Sequence, residues 1–265
     1  MMITSPANPK VKLVTGLQTS RRTRQREDRF VVEGRRLVED ALTAGMAPDF
    51  VLHTPAWAAS SDGARLLEAI GRAGIPSYAV SDDLFAHCSD TETPPGVLAV
   101  LPLPALAAPA APTLVVVADR IRTPGNLGAI LRTAAAAGVE AVLLPPGNTD
   151  PFNPKVVRGA MGAHFRLPLV RLGWEAARAR LAGLDRWLAA AGGGQRYDQV
   201  DWTRPVALII GGEAGGAGQE AASLAGGTVQ IPMPGGTESL NAAVAAGVLL
   251  FEVVRQRSWP APAPG

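Results

Sequence analysis

Three short segments in the C-terminal half of the chain hold the residues whose types and spacing could do chemistry. The first, TLVVVADRIRTPGNLGAILRTAAAAGV (residues 113–139), runs from a β-branched strand pattern through a Pro124-Gly125 turn. It continues with Asn126 at the mouth of a helical pattern that carries Arg132. The second, LIIGGEAGG (208–216), leaves Glu213 as the only acidic group of a glycine-rich turn, where small residues let the backbone approach a partner. The third, VQIPMPGGTESLN (229–241), leads through a Pro-Gly turn to Ser239 and Asn241 at a helix start. Backbone N–H groups there lack intrahelical acceptors and can meet a polar or anionic group. Taken singly, each segment is better explained by a turn, a cap or a glycine-rich corner.

More common enzyme signatures are missing. The three histidines, at positions 53, 87 and 164, have no metal-site spacing, and no GxxxxGK[ST] phosphate loop occurs. No GxGxxG turn follows a strand, which disfavours a dinucleotide-binding Rossmann domain. Metal catalysis and nucleotide hydrolysis are disfavoured too, and no metal site is expected. Cys88 is the single cysteine, so no intramolecular disulfide can form, and MMITSPANPK lacks the apolar run of a secretory signal; a reducing cytoplasm is the expected location. The uncharged stretch Leu98–Ala118 is long enough to cross a membrane, but Pro102, Pro104, Pro109 and Pro112 interrupt it, and it reads as strand, linker, strand.

The 265 residues suit two compact domains, and the 47% hydrophobic, 18% charged composition is that of a globular protein. The net charge is only +2, yet basic residues crowd the N-terminus: Lys10, Lys12, Arg21, Arg22, Arg24, Arg26, Arg29, Arg35 and Arg36 against Glu27, Asp28 and Glu33. Such a run is a solvated face or an electrostatic footprint for a phosphate backbone.

The elements that must position these residues follow from hydrophobic periodicity. From Phe30 to Val100, FVVE, DFVLH, IPSYAV and GVLAVLPL alternate with the amphipathic RRLVEDALTAG and ARLLEAIGRAG, which predicts a small α/β domain with C-terminal helix caps at Gly45 and Gly74. Residues 103–112 are a Pro/Ala linker between a first domain, 1–102, and a second, 113–258, with a tail at 259–265. In the second domain TLVVVA, AVLLP, RLPLV, PVALIIGG and TVQIP read as parallel strands with crossover helices. Helices are expected over 126–137, 153–162, 174–191, 218–225 and 239–255, with Asn126, Asn153 and Ser239 as N-caps. The three segments then fall beyond the carboxyl ends of strands, where open parallel sheets bind ligands.

In their order and spacing these segments resemble the SpoU (TrmH) family of RNA ribose 2′-O-methyltransferases, within the SPOUT superfamily. N-x-G-x-x-x-R is met by Asn126, Gly128 and Arg132, and G-x-E-x-x-G by Gly211, Glu213 and Gly216. The most specific match is IPM, a short turn and SLN, met by Ile231, Pro232, Met233, Gly235, Ser239, Leu240 and Asn241. FNPKVVRGAMGAHFRLPLV between them is also similar, so the resemblance spans about residues 113–255, and NPKVKLV, RFVVEGRRLVEDAL and TPPGVLAVLPLP resemble the substrate-binding domain often joined to these enzymes. Departures are Gly212, where many relatives carry Asn, and Ala242-Ala243 after SLN.

The resemblance implies a deep trefoil knot in an α/β parallel-sheet domain, a smaller N-terminal α/β RNA-binding domain, and a homodimer. It implies S-adenosylmethionine as cofactor, held at Gly211, Gly212, Ile231, Met233 and Leu240, and methyl transfer to a ribose 2′-hydroxyl assisted by Arg132, Asn126, Glu213, Ser239 and Asn241. A guanidinium is a poor general base, so Arg132 is expected to position a phosphate and stabilise the developing alkoxide. RNA contacts are expected from Lys10, Lys12, Arg21, Arg22, Arg24, Arg35 and Arg158. Ribosomal RNA of the large subunit is favoured over transfer RNA by the appended domain; a base methyltransferase and an RNA-binding protein without catalysis are the other readings.

Overall fold

A computed structural model describes residues 2–212 and 215–258. The chain divides into two compact units, Met1–Ala105 with Phe152–Phe165, and Leu106–Pro151 with Arg166–Gly265. The segment 152–165, expected within the second domain, is thus part of the first unit.

The first unit opens with two helices that the hydrophobic pattern did not reveal, α1 (Pro9–Thr19) and α2 (Arg21–Glu27). Ser20 closes one and caps the other, its hydroxyl accepting the Thr23 N–H at 3.2 Å. Strands β1 (Arg29–Glu33), β2 (Phe50–His53), β3 (Ser77–Ala79) and β4 (Val97–Pro102) form a sheet ordered β1-β4-β2-β3. Its β1–β4 and β4–β2 pairs are antiparallel, and β2–β3 is parallel. Helices α3 (Arg35–Thr43), α4 (Pro55–Ala58), α5 (Ser61–Arg72) and α6 (Asp82–Cys88) complete the unit's N-terminal part. Gly45 and Gly74 take the positive φ of +76° and +69° that a left-handed helix stop requires.

On one face of the sheet Val11, Val14 and Leu17 of α1 meet Val31, Leu52, Leu98 and Val100, with Leu84, Phe85 and Cys88 of α6 in the same cluster. Phe30, fully buried, stacks edge-on against Phe152 at 5.2 Å and lies 6.5 Å from Phe165, ring centroid to centroid.

The second unit is one seven-stranded sheet in which every pairing is parallel. Along the chain it contains β5 (Leu114–Asp119), α7 (Pro124–Ala136), β6 (Ala141–Leu144), then α8 (Pro154–Ala160), which belongs to the first unit, and β7 (Leu169–Arg171). It continues with α9 (Trp174–Arg180), β8 (Asp185–Ala190), β9 (Gln195–Arg196), β10 (Val206–Gly211), α10 (Gln219–Leu224), β11 (Gly227–Gln230) and α11 (Ala242–Ser258). The strand order is β7-β6-β5-β10-β8-β11-β9, which places the β-branched runs of β5 and β10 at its buried centre.

Three sequence expectations need correction. Residues 174–191 are not one helix: α9 stops at Arg180, Gly183 turns the chain at φ +84°, and residues 185–190 form β8 between β10 and β11. Ser239 is not a cap, because α11 starts at Ala242 and the Asn241 side chain accepts the N–H groups of Ala243 and Val244, at 2.9 and 3.3 Å. Nor is Asn126 one; α7 starts at Pro124 after Thr123, which leaves Asn126 inside the first turn. Asn153 does cap α8, accepting the Lys155 N–H at 2.9 Å. Among the described residues no helix is long and apolar enough to cross a membrane.

Candidate functional site

The carboxyl ends of β8, β10 and β11, together with the segment before α11 and its first turns, enclose a cavity of about 420 Å³. Its walls are Ala189 and Ala190 of β8 with Ala191 just beyond, Ile210 and Gly211 of β10 with Gly212 and Gly216 of the following loop, and Val229 of β11 with Ile231 and Met233 after it. Ser239, Leu240, Asn241, Ala242, Ala245 and Leu249 close it. Ligand sites commonly have this volume and this position beyond strand ends.

The glycines here are needed for close approach. A Cβ on Gly211 would lie 2.7 Å from the Ala217 nitrogen, and one on Gly212 only 2.3 Å from the Arg120 carbonyl oxygen. No side chain has room at position 212 in this backbone. The lining is backbone, small aliphatic groups and two polar side chains, Ser239 and Asn241. Such a wall fits a nucleoside held by main-chain groups and apolar contact, and the adenosyl part of S-adenosylmethionine matches it.

Of the residues nominated from sequence, Gly211, Gly212, Ile231, Met233, Leu240, Ser239 and Asn241 all line the cavity. Asn126 reaches it through one contact: Asn241 Nδ2 donates to Asn126 Oδ1 at 3.0 Å. This bond ties the first segment to the third, and because Asn241 Oδ1 is occupied by the α11 N-terminus, its amide is held at both ends. Arg132 is exposed on α7, is not part of the cavity lining, and makes no hydrogen bond or ion pair among the described residues. Glu213 lies outside the described residues. The Ala189–Ala191 wall was missed, since an alanine-rich stretch expected to be helical offers no chemical mark.

In the first unit, Lys12, Arg21 and Arg22 are exposed, and Arg35 is exposed but paired with Glu39 at 3.2 Å and Asp62 at 3.6 Å. Lys10 holds its ammonium 4.6 Å from the Tyr78 ring centre and 5.8 Å from that of Phe50. Arg158 is half-buried and bound to Asp90 at 2.7 Å. Arg24 is a correction: at 4% exposure its guanidinium donates to the carbonyls of Leu17 and Gln18, in the last turn of α1. It caps a helix from within and has no free charge to offer a phosphate. Among the described residues, no group of three or more His, Cys, Asp or Glu side chains could hold a metal ion.

Residues 113–251 match the SpoU rRNA Methylase family, and residues 8–99 match the MRM3-like substrate binding domain. The chain is 35% identical to the 23S rRNA (guanosine(2553)-2′-O)-methyltransferase RlmP of Bacillus subtilis, over 95% of this chain and 98% of that one. It is 34% identical to a 23S rRNA (uridine(2479)-2′-O)-methyltransferase of Streptomyces viridochromogenes, over 90% and 86% of the two chains. The crystal structure of the SpoU methyltransferase AviRb from Streptomyces viridochromogenes in complex with the cofactor AdoMet superposes with a TM-score of 0.84 at 32% identity, covering 94% of this chain and 98% of that one. With its motifs arranged around a cavity of nucleoside size, the chain belongs to the SpoU rRNA methylase family.

Proposed function

We propose that the chain methylates a ribose 2′-hydroxyl of 23S ribosomal RNA, with S-adenosylmethionine bound in the 420 Å³ cavity. The observation that carries this reading is the Asn241–Asn126 bond, which joins the cavity wall to the start of the Arg132 helix and so couples a cofactor site to an exposed cation. The cofactor supplies a methyl group already activated by its sulfonium. The chain's own residues then have to orient the hydroxyl and manage its proton. Orientation alone is worth on the order of 7–11 kcal/mol.

Asn241, fixed at both ends of its amide, can orient the nucleotide without side-chain reorganisation. Ser239, exposed beside it, can donate to or accept from a ribose oxygen. A guanidinium is a poor general base, so Arg132 stabilises negative charge on the attacking oxygen and binds the flanking phosphate. Glu213 completes the set as an orienting carboxylate. RNA is held by the first unit through Lys10, Lys12, Arg21, Arg22 and Arg35, with Arg158 beside its Asp90 partner. A cytoplasmic location, a trefoil threading of α11 and a homodimer belong to the same reading. The dimer is supported by Val244 and Phe251, 52% and 51% exposed two turns apart on α11.

Relatives that act on a guanosine and on a uridine argue for recognition of the ribose and its surroundings more than of one base. The test is incorporation of labelled methyl groups into undermethylated 23S rRNA and transfer RNA by wild type and Arg132→Ala. Wild type should label the ribosomal RNA at a 2′-oxygen, and the variant should lose at least about a hundredfold in turnover. Labelling of transfer RNA alone would overturn the substrate, and undiminished transfer by the variant would overturn the role of Arg132.

A further inference from the structure

Strand β5 ends at Asp119, and the next residue takes a left-handed backbone: Arg120 has φ +53°, a conformation that a non-glycine residue adopts only when its surroundings hold it there. Its surroundings are the loop that follows β10. Arg120 Nη2 donates to the Gly216 carbonyl at 3.1 Å, and its Nε lies 3.6 Å from Asp119 Oδ2. The same Asp119 oxygen accepts the Gly218 N–H at 2.6 Å, from a side chain only 2% exposed.

Backbone contact adds to these bonds. The Arg120 carbonyl fills the space where Gly212 has no side chain, and the guanidinium lies so close to Gly218 that a Cβ there would be 3.2 Å from its Cζ. Two consecutive residues therefore grip the loop at Gly212, Gly216 and Gly218. Gly212 and Gly216 also face each other across an isolated antiparallel bridge, and both line the cavity, whereas Asp119 and Arg120 do not.

From this geometry we propose that Asp119 and Arg120 are positioning residues, which hold Gly212, Gly216 and Gly218 in their cofactor-binding arrangement before the cofactor arrives. The inference rests on the reading of the cavity as the S-adenosylmethionine site. Backbone groups already held by charge-assisted hydrogen bonds cost less to organise on binding, so the clamp acts on affinity through these glycines. Its strained backbone is the price of aiming the guanidinium.

Arg120→Gly separates this role from a merely structural one, because glycine accepts the positive φ and the variant removes the side chain without forcing the backbone to change. With the full chain, the melting temperature without ligand should stay close to that of wild type, since relief of the left-handed backbone offsets the lost guanidinium contacts. The Kd for S-adenosylmethionine, measured by calorimetry, should rise about tenfold. KM for the cofactor should rise in parallel while kcat falls by less than about threefold, and Arg120→Lys should recover part of the affinity. A Kd within twofold of a normally binding wild type overturns the proposal, as does a melting temperature that falls together with affinity. A wild type that does not bind the cofactor overturns the reading of the cavity, and the clamp with it.

Discussion

Asn241→Ala and Asn241→Asp separate the two functions of one amide. Its oxygen accepts the Ala243 and Val244 N–H groups at the start of α11, and its nitrogen donates to Asn126 at 3.0 Å. Loss of an N-cap costs about 1 kcal/mol. The side-chain pair is exposed, which places it near the lower end of the ~0.5–1.5 kcal/mol range for a hydrogen bond. Asn241→Ala should therefore lose about 1.5 kcal/mol, a fall of roughly 3–6 °C in melting temperature for a domain of this size. Aspartate caps as well as asparagine, so Asn241→Asp should lose less than about 0.7 kcal/mol while removing the donor to Asn126. A double-mutant cycle with Asn126→Ala, read by urea denaturation, should return a coupling of about 0.5 kcal/mol or more. Equal destabilisation by the alanine and aspartate variants would refute the cap, and a coupling of zero would refute the link between the two motifs.

Reversing Arg21 and Arg22 to Glu should weaken RNA binding and lower the slope of log affinity against log salt by about two, leaving cofactor affinity unaltered; an unchanged slope removes α2 from the interface. Arg24→Ala behaves differently, because the carbonyls of Leu17 and Gln18 lose their buried donor. It should cost about 2–3 kcal/mol in denaturation experiments with RNA-free protein. Burial pushes the Glu140 carboxyl up, but the N–H groups of Thr113 and Leu114 outweigh it and hold it below its ordinary 4.5. A depressed carboxylate stabilises the fold above pH 4.5 and loses that contribution as pH falls through its lowered value, so Glu140→Gln should flatten the acid limb of the stability profile. A limb of undiminished slope would show that other carboxylates carry it.

The sequence displayed the strands of the second unit because β5, β6 and β10 are buried on both faces and keep unbroken apolar runs. It concealed β8. In WEAARARLAGLDRWLAAAGG the alanines and leucines favour a helix, and only the parallel ladders from β10 and β11 on either side impose an extended chain. One wall of the cavity was hidden with it. The cap positions shifted for a related reason: Asn126 and Ser239 are good capping types, but Pro124 and Asn241 fix the helix starts by backbone geometry that residue type alone does not rank. Charge was legible as a cluster but not residue by residue, since the burial of Arg24 depends on how α2 turns back at Ser20.

The placement of residues 152–165 makes the two halves interdependent at the level of the polypeptide. Phe152, Val156, Val157 and Phe165 are buried as part of the first unit, although the chain enters and leaves this segment from the second. A gene fragment ending in the proline-rich linker would encode an N-terminal piece whose Phe30 lacks its aromatic neighbours. The complementary fragment would carry four apolar side chains with nothing to cover them. Expression of either half alone is thus penalised, and the two parts are expected to fold as one object.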